Sequence, residues 1–253
     1  MEVREVHITR YITPLREGGS LPAVVEADDE FLYVLKFRGA GQGTKALIAD
    51  FIGGKIAEKL GLKVPELVFA WLDDRFGKTE PDEEIQDLLK FSVGRNLGVH
   101  YLSGAITFDP VLHTTDAETA SKIVWLDAFL TNVDRTAKNT NMLMWHRELW
   151  LIDHGASLYF HHNWDTWEKQ SLSPFAPVRD HVLLKYATGL VVADARAHEL
   201  ITDEFIDEVV TALPTDWLVE EEDREVYGNF LKIRLKNSEI FVKEAEDARK
   251  ALI

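Results

Sequence analysis

Between Thr131 and Asn141 the chain reads TNVDRTAKNTN, eleven almost wholly polar residues between an apolar helical segment and two short apolar runs. This placement constrains the fold more than any other feature. Thr115 and Glu118 have the T-x-x-E spacing of a capping box and open a helix through ASKIVWLDAFL. After the polar stretch, NMLMW and LWLID flank the turn HRE and read as a β-hairpin. A strand out and a strand back return the chain to its start, so Asp153 is expected near Asn139. Asp134 lies five residues before Asn139. Asp and Asn often shape loops through bonds to nearby backbone, and for any one of these residues that account suffices. For all three, at this spacing beside a hairpin, it is the weaker account.

The rest of the chain frames this loop. Up to about Phe37, ITP, the turn LREGGSLP, AVVEA, the turn DDE and FLYVLKF read as strands of a hairpin. TKALIADFIGGKIAEKLGL carries Leu47, Ile48, Phe51, Ile52, Ile56 and Leu60 near the helical period, with Gly61 at the C-cap and Pro65 beyond. Gly53 and Gly54 weaken that helix by about 1 kcal/mol each relative to alanine, and leave room for a close neighbour. ELVFAWL is a strand. Residues 73–99 are charged and turn-rich, and LGVHYLSGAITF is a strand with a turn at Ser103–Gly104. SPFAPVRDHVLLKYATG, DEFIDEVVTALP and residues 223–251 read as helices. Strands with one helix, then a hairpin, then helices give an α+β chain.

Composition narrows the function. The 253 residues carry a net charge of −15 and no basic patch, so no nucleic-acid partner is expected. The acidic run from Glu220 to Glu225 reads as solvated surface. There is no cysteine, no apolar run of membrane-spanning length and no secretory leader at the N-terminus, which fits a cytoplasmic protein.

Two oxygen ligands, Asn139 and Asp153, suit Mg²⁺, which keeps waters and takes its other ligands from phosphates. Phosphoryl transfer uses such a set: a metal on the phosphates, an aspartate for the nucleophile's proton and a lysine steadying the phosphates. D-x-x-x-x-N, followed by a second aspartate after a short hairpin, is the spacing of kinase catalytic loops.

NVDRTAKNTNML…LIDHGASL resembles the HipA-like kinases, and more distantly the phosphatidylinositol 3-/4-kinases. PLREGGSLPAVVEADDEFLYVLKFRG is similar to that family's glycine loop and lysine strand, and ADFIGGKIAEKLGLKVPE to its helix and G-L-x-V-P-E segment. The likeness covers about Ile12 to Phe160. It implies a bilobal protein kinase-like fold, with residues 1–104 as a β-rich first lobe and 105–253 as a mostly helical second. Tyr101 to Gly104 would be the hinge, by position in the chain. It implies ATP and Mg²⁺ as cofactors, Asp134 as catalytic base, and Asn139 and Asp153 as metal ligands. Lys36 would contact the nucleotide phosphates and pair with Asp50, where the family usually has glutamate. Gly18, Gly19 and Ser20 would cover the phosphates. Thr136 departs from the family, many members of which have histidine there. The acceptor hydroxyl and the oligomeric state are not specified.

Three other readings compete. RGAGQGTK follows a strand and opens a helix, but Gly39, Gly41 and Gly43 give neither G-x-G-x-x-G nor G-K-[ST], so it reads as a mobile glycine-rich loop. His154, His161 and His162 could serve a metal hydrolase, but adjacent histidines on a strand face opposite ways, and surface or structural roles suit them better. An inactive nucleotide-binding pseudokinase shares every residue of the kinase reading.

Overall fold

The computed structural model describes residues 1–15, 21–76, 82–219 and 222–252. Gly18, Gly19 and Ser20 lie outside the described residues. Five strands, β1 (Glu5–Pro14), β2 (Ala23–Ala27), β3 (Leu32–Lys36), β4 (Leu67–Leu72) and β5 (Gly94–His100), close into a barrel in the order β1-β2-β3-β5-β4. β1 closes it, pairing antiparallel with β2 and parallel with β4. Closure satisfies both edges of the sheet. The two-residue period of β3 sends Tyr33 and Leu35 into the barrel and Lys36 out of it.

Helix α1 (Gly43–Lys59) lies against the outside of this barrel. It is apolar or small on almost every face, the composition of a core helix, and buries Leu47 through Gly54 without a break. It packs on β5, on α3 (Ala117–Leu130) and on α6 (Asp203–Thr211). One apolar cluster fills the barrel with Val25, Leu35 and Val68; a larger one runs from α1 through α3 into the C-terminal helices. A second sheet, β6 (Ile106–Thr107), β7 (Met142–Trp145) and β8 (Glu148–Leu151), carries the expected hairpin. Its turn, His146–Arg147, has φ of 49° and 68°, the doubly left-handed backbone of a tight hairpin.

Several expectations are corrected. α3 is capped by Asp116, whose side chain accepts from Thr119 N at 2.8 Å, and not by Thr115. The turn-rich stretch 73–99 contains α2 (Glu83–Phe91), capped by Asp82, and the start of β5. β6 pairs with β7, not with β5. The stretch read as a helix around Ala176 forms two short 3₁₀ turns, because Pro177 and the left-handed Phe175 (φ 61°) break the α pattern. α4 (Trp167–Ser171) and α5 (Leu190–Leu200) were not anticipated, and 223–251 divides into α7 (Glu222–Lys236) and α8 (Glu239–Lys250). The loop read as mobile is folded into turns closed by Ala40 N to Phe37 O and Gly43 N to Ala40 O. A Cβ on Gly39 would lie 2.8 Å from Phe91, so that turn is packed against α2's end.

Candidate active site

Lys36 leaves the barrel where α1 crosses it. Its ammonium donates to Asp50 Oδ2 at 2.6 Å and to Asp153 Oδ1 at 2.8 Å. Three residues far apart in sequence thus meet at one point. Asp50 is buried and also accepts His154 N at 2.6 Å. Asp153 has left-handed backbone (φ 55°), rare for a non-glycine residue, and its side chain is 48% exposed.

Asp134 lies in the loop that enters the hairpin, at the same open end that Asp153 leaves. Its Oδ2 accepts Asn139 Nδ2 at 2.7 Å and Asn141 Nδ2 at 3.2 Å, and its backbone N–H donates to Asn132 Oδ1 at 3.1 Å. The asparagines of TNVDRTAKNTN therefore hold one carboxylate and its loop. The chain returns as anticipated, but the bond that closes it is Ile152 N to Asn141 O at 3.0 Å.

Arg135 is the residue whose weight the sequence did not reveal. It is fully buried and donates Nε to Asp127 Oδ2 at 2.6 Å. Its other nitrogens reach Asn141 O, Ile152 O at 3.4 Å and His154 Nδ1 at 3.3 Å. Asp127 also accepts from Asn132 Nδ2 at 2.8 Å and His181 Nε2 at 2.9 Å; His181 Nδ1 accepts from Leu183 N, which fixes that tautomer. One guanidinium thus ties α3 to both ends of the hairpin and to the residue after Asp153. The available signal was Asp127, a carboxylate inside the apolar run of α3. His154 packs on Gly53, where a Cβ would fall 2.5 Å from His154 Cβ. The glycine pair in α1 thus serves close approach, at Gly53 to His154 and at Gly54 to Leu67.

The electrostatics follow from burial and pairing. Burial opposes the charge on Lys36, but Asp153 and Asp50 outweigh it and hold the ammonium above its ordinary range. Burial pushes the Asp50 carboxyl up to about 6 against the pull of Lys36. Lys36 holds Asp153 well below the usual carboxylate range, against desolvation. One cation between two carboxylates leaves the trio net negative when all are ionised, an arrangement that accommodates a further cation. Among the described residues, no three His, Cys, Asp or Glu side chains group to hold a metal alone. His154 and His161 are buried, with His161 in a 3₁₀ turn (Tyr159–His162) donating or accepting at Tyr227 OH. They are buried structural groups, one of the two roles read from the sequence, and His161 sits in a 3₁₀ turn and not on a strand.

The family model for HipA-like kinases matches residues 8–242. The chain belongs to the HipA-like kinase family. Phosphotransfer is accordingly its reaction class. Over 99% of each chain, this HipA-like kinase is similar in structure to the Helicobacter pylori proinflammatory kinase CtkA, at a TM-score of 0.61 and 13% identity. A likeness at that identity speaks for the fold alone. No curated protein sequence matches the chain. Among the described residues, no helix is long and apolar enough to cross a membrane.

Proposed function

We propose that this HipA-like kinase transfers the γ-phosphoryl group of ATP to a hydroxyl acceptor in a cleft between two lobes, residues 1–104 and 105–253. The observation that carries this reading is Lys36 held between Asp50 and Asp153, with Asp134 in the loop that enters the hairpin Asp153 leaves. Asp134 takes the proton of the attacking hydroxyl as its oxygen bonds to the γ-phosphorus. The bond to the bridging oxygen breaks, and ADP leaves with that electron pair. Lys36, steadied by Asp50, steadies the phosphates. Asp153 and Asn139 would hold Mg²⁺, which when bound neutralises phosphate charge. The exposed Asp153 carboxylate and the net negative trio fit that cation. Gly18, Gly19 and Ser20 would cover the phosphates through backbone N–H groups.

Purified protein with Mg²⁺ and γ-labelled ATP is expected to release or transfer label. Asp134→Asn should cut turnover by about 10²-fold or more while nucleotide affinity is kept. Mg-ATP binding with no turnover under any acceptor or condition would instead favour an inactive nucleotide-binding module. Equal loss of turnover and affinity in Asp134→Asn would count against its role as base.

A further inference from the structure

The 3₁₀ turn Thr215–Trp217, late in the helical part, reaches back to the barrel. Trp217 is 1% exposed and donates Nε1 to Arg95 O of β5 at 2.8 Å. Its ring meets Phe69 of β4 edge-on at 5.4 Å, and Phe69 in turn lies 5.4 Å from Phe51 of α1. Phe51 is the residue after Asp50. Beside Trp217, Asp216 Oδ2 accepts from Arg38 Nη1 at 2.5 Å, and its carbonyl accepts from Arg38 Nη2 at 2.8 Å. Arg38 is two residues beyond Lys36, and its backbone N–H is fixed by buried Asn96 Oδ1 at 2.9 Å. Arg95 Nη1 adds a longer contact to Asp216 Oδ1 at 3.4 Å. The turn is itself anchored, because Arg224 donates to Val210 O and Leu213 O at 2.6 and 2.9 Å.

One short segment thus grips the chain just past Lys36 and, through two aromatic rings, just past Asp50. α1 also packs directly on this turn. A helix free to swing would carry Asp50 away from Lys36. Here it packs on a segment from far along the sequence.

We propose that Asp216 and Trp217 are positioning residues that keep α1 docked, and the Lys36–Asp50 pair formed, without ligand or partner. The functional consequence rests on the kinase reading above; the brace itself does not.

The test uses the full chain and hydrogen–deuterium exchange of α1, beside kcat and KM for ATP. Asp216 is 40% exposed, so Asp216→Ala should fold. It is expected to raise exchange across residues 43–59 about tenfold, the loss of a charge-assisted bond to Arg38, while α3 keeps its protection. kcat should fall several-fold with a smaller change in KM. Asp216→Asn keeps an acceptor for Arg38 and should restore protection and turnover to within about twofold. Trp217→Phe keeps an aromatic ring against Phe69, loses the bond to Arg95 O, and should loosen α1 less than Asp216→Ala does. α1 exchange unchanged by Asp216→Ala, or raised equally over the whole chain, would overturn the brace. Exchange needs no turnover: an inactive wild type whose α1 still loosens would count against the kinase reading and leave the brace supported. Wild-type turnover with α1 unmoved by Asp216→Ala would overturn the brace alone.

Discussion

Arg135 and Asp127 form a 2.6 Å ion pair in which neither side chain is exposed, and the arginine directly follows the proposed base. Burial opposes ionisation of Asp127, but Arg135 and then His181 hold its carboxyl far below the usual range. The pair's worth lies in what it joins, since a buried pair by itself roughly offsets its own desolvation. Arg135→Met would leave Asp127 charged and buried, with a predicted loss of about 3–5 kcal/mol in chemical denaturation. Arg135→Met with Asp127→Leu should recover much of that stability but not the activity, because the hairpin ends lose their common donor. Full recovery of turnover in the double variant would show that the pair does not position the loop.

Asp50 is buried, and its carboxylate is held on both oxygens. A Cβ at Gly155 would lie 3.1 Å from Asp50 Oδ2, and both carboxylate oxygens already have partners at 2.6 Å. Asp50→Glu adds one methylene to a filled site and should cost about 1–3 kcal/mol. Turnover should fall with it, although glutamate is the residue the family resemblance leads one to expect. A variant as stable and active as the wild type would mean that α1 shifts freely to fit it.

Gly53→Ala should also destabilise. On an exposed helix the change gains about 1 kcal/mol. Here the new methyl meets His154 Cβ and Cγ at 2.5 and 2.7 Å, and His154 is pinned by Arg135. The expected cost is about 1–3 kcal/mol. Gly54→Ala should be milder, because its contact is Leu67 Cδ1, the far end of a flexible side chain. Thermal melts of the two variants give the ranking directly.

The two buried histidines should make stability rise with pH from about 3 to 6.5, outweighing Asp50, whose raised carboxyl acts in the opposite sense between about pH 4 and 6. Burial, with Arg135 next, pushes His154 down to about 3, and burial with His162 does the same to His161, against an ordinary value of 6.5. Between those limits the unfolded chain binds protons that the native chain refuses, so lowering the pH favours unfolding. Each histidine contributes a slope of up to about 1.4 kcal/mol per pH unit, absent above 6.5. His161→Phe removes one of the two. An unchanged slope of unfolding free energy between about pH 4 and 6 would mean that His161 accepts its proton inside the fold.

The polar loop and the returning hairpin were legible because they are local. Asp134 and Asn139 are five residues apart, and a tight hairpin must bring the chain back, so a sequence pattern suffices to place them in one region. The strands around Lys36 and the apolar period of α1 were legible for the same reason. Local pattern misled where residue types serve more than one local structure. Asp116 caps α3 one residue beyond Thr115, Asp82 opens a helix in a stretch read as turns, and the stretch around Phe175 could not be told from a helix by its apolar content.

The sequence by itself determined the polar loop, the returning aspartate, the lysine strand and the absence of thiol chemistry, since these depend on residue identity and short spacing. Only the tertiary structure decided that Lys36 bridges Asp50 and Asp153, that Arg135 joins α3 to the hairpin, and that Asp216 and Trp217 reach back to the barrel. Those contacts span up to 178 residues, as from Arg38 to Asp216. Barrel closure and the burial of α1 on every side fix them, and neither is a property of any short segment.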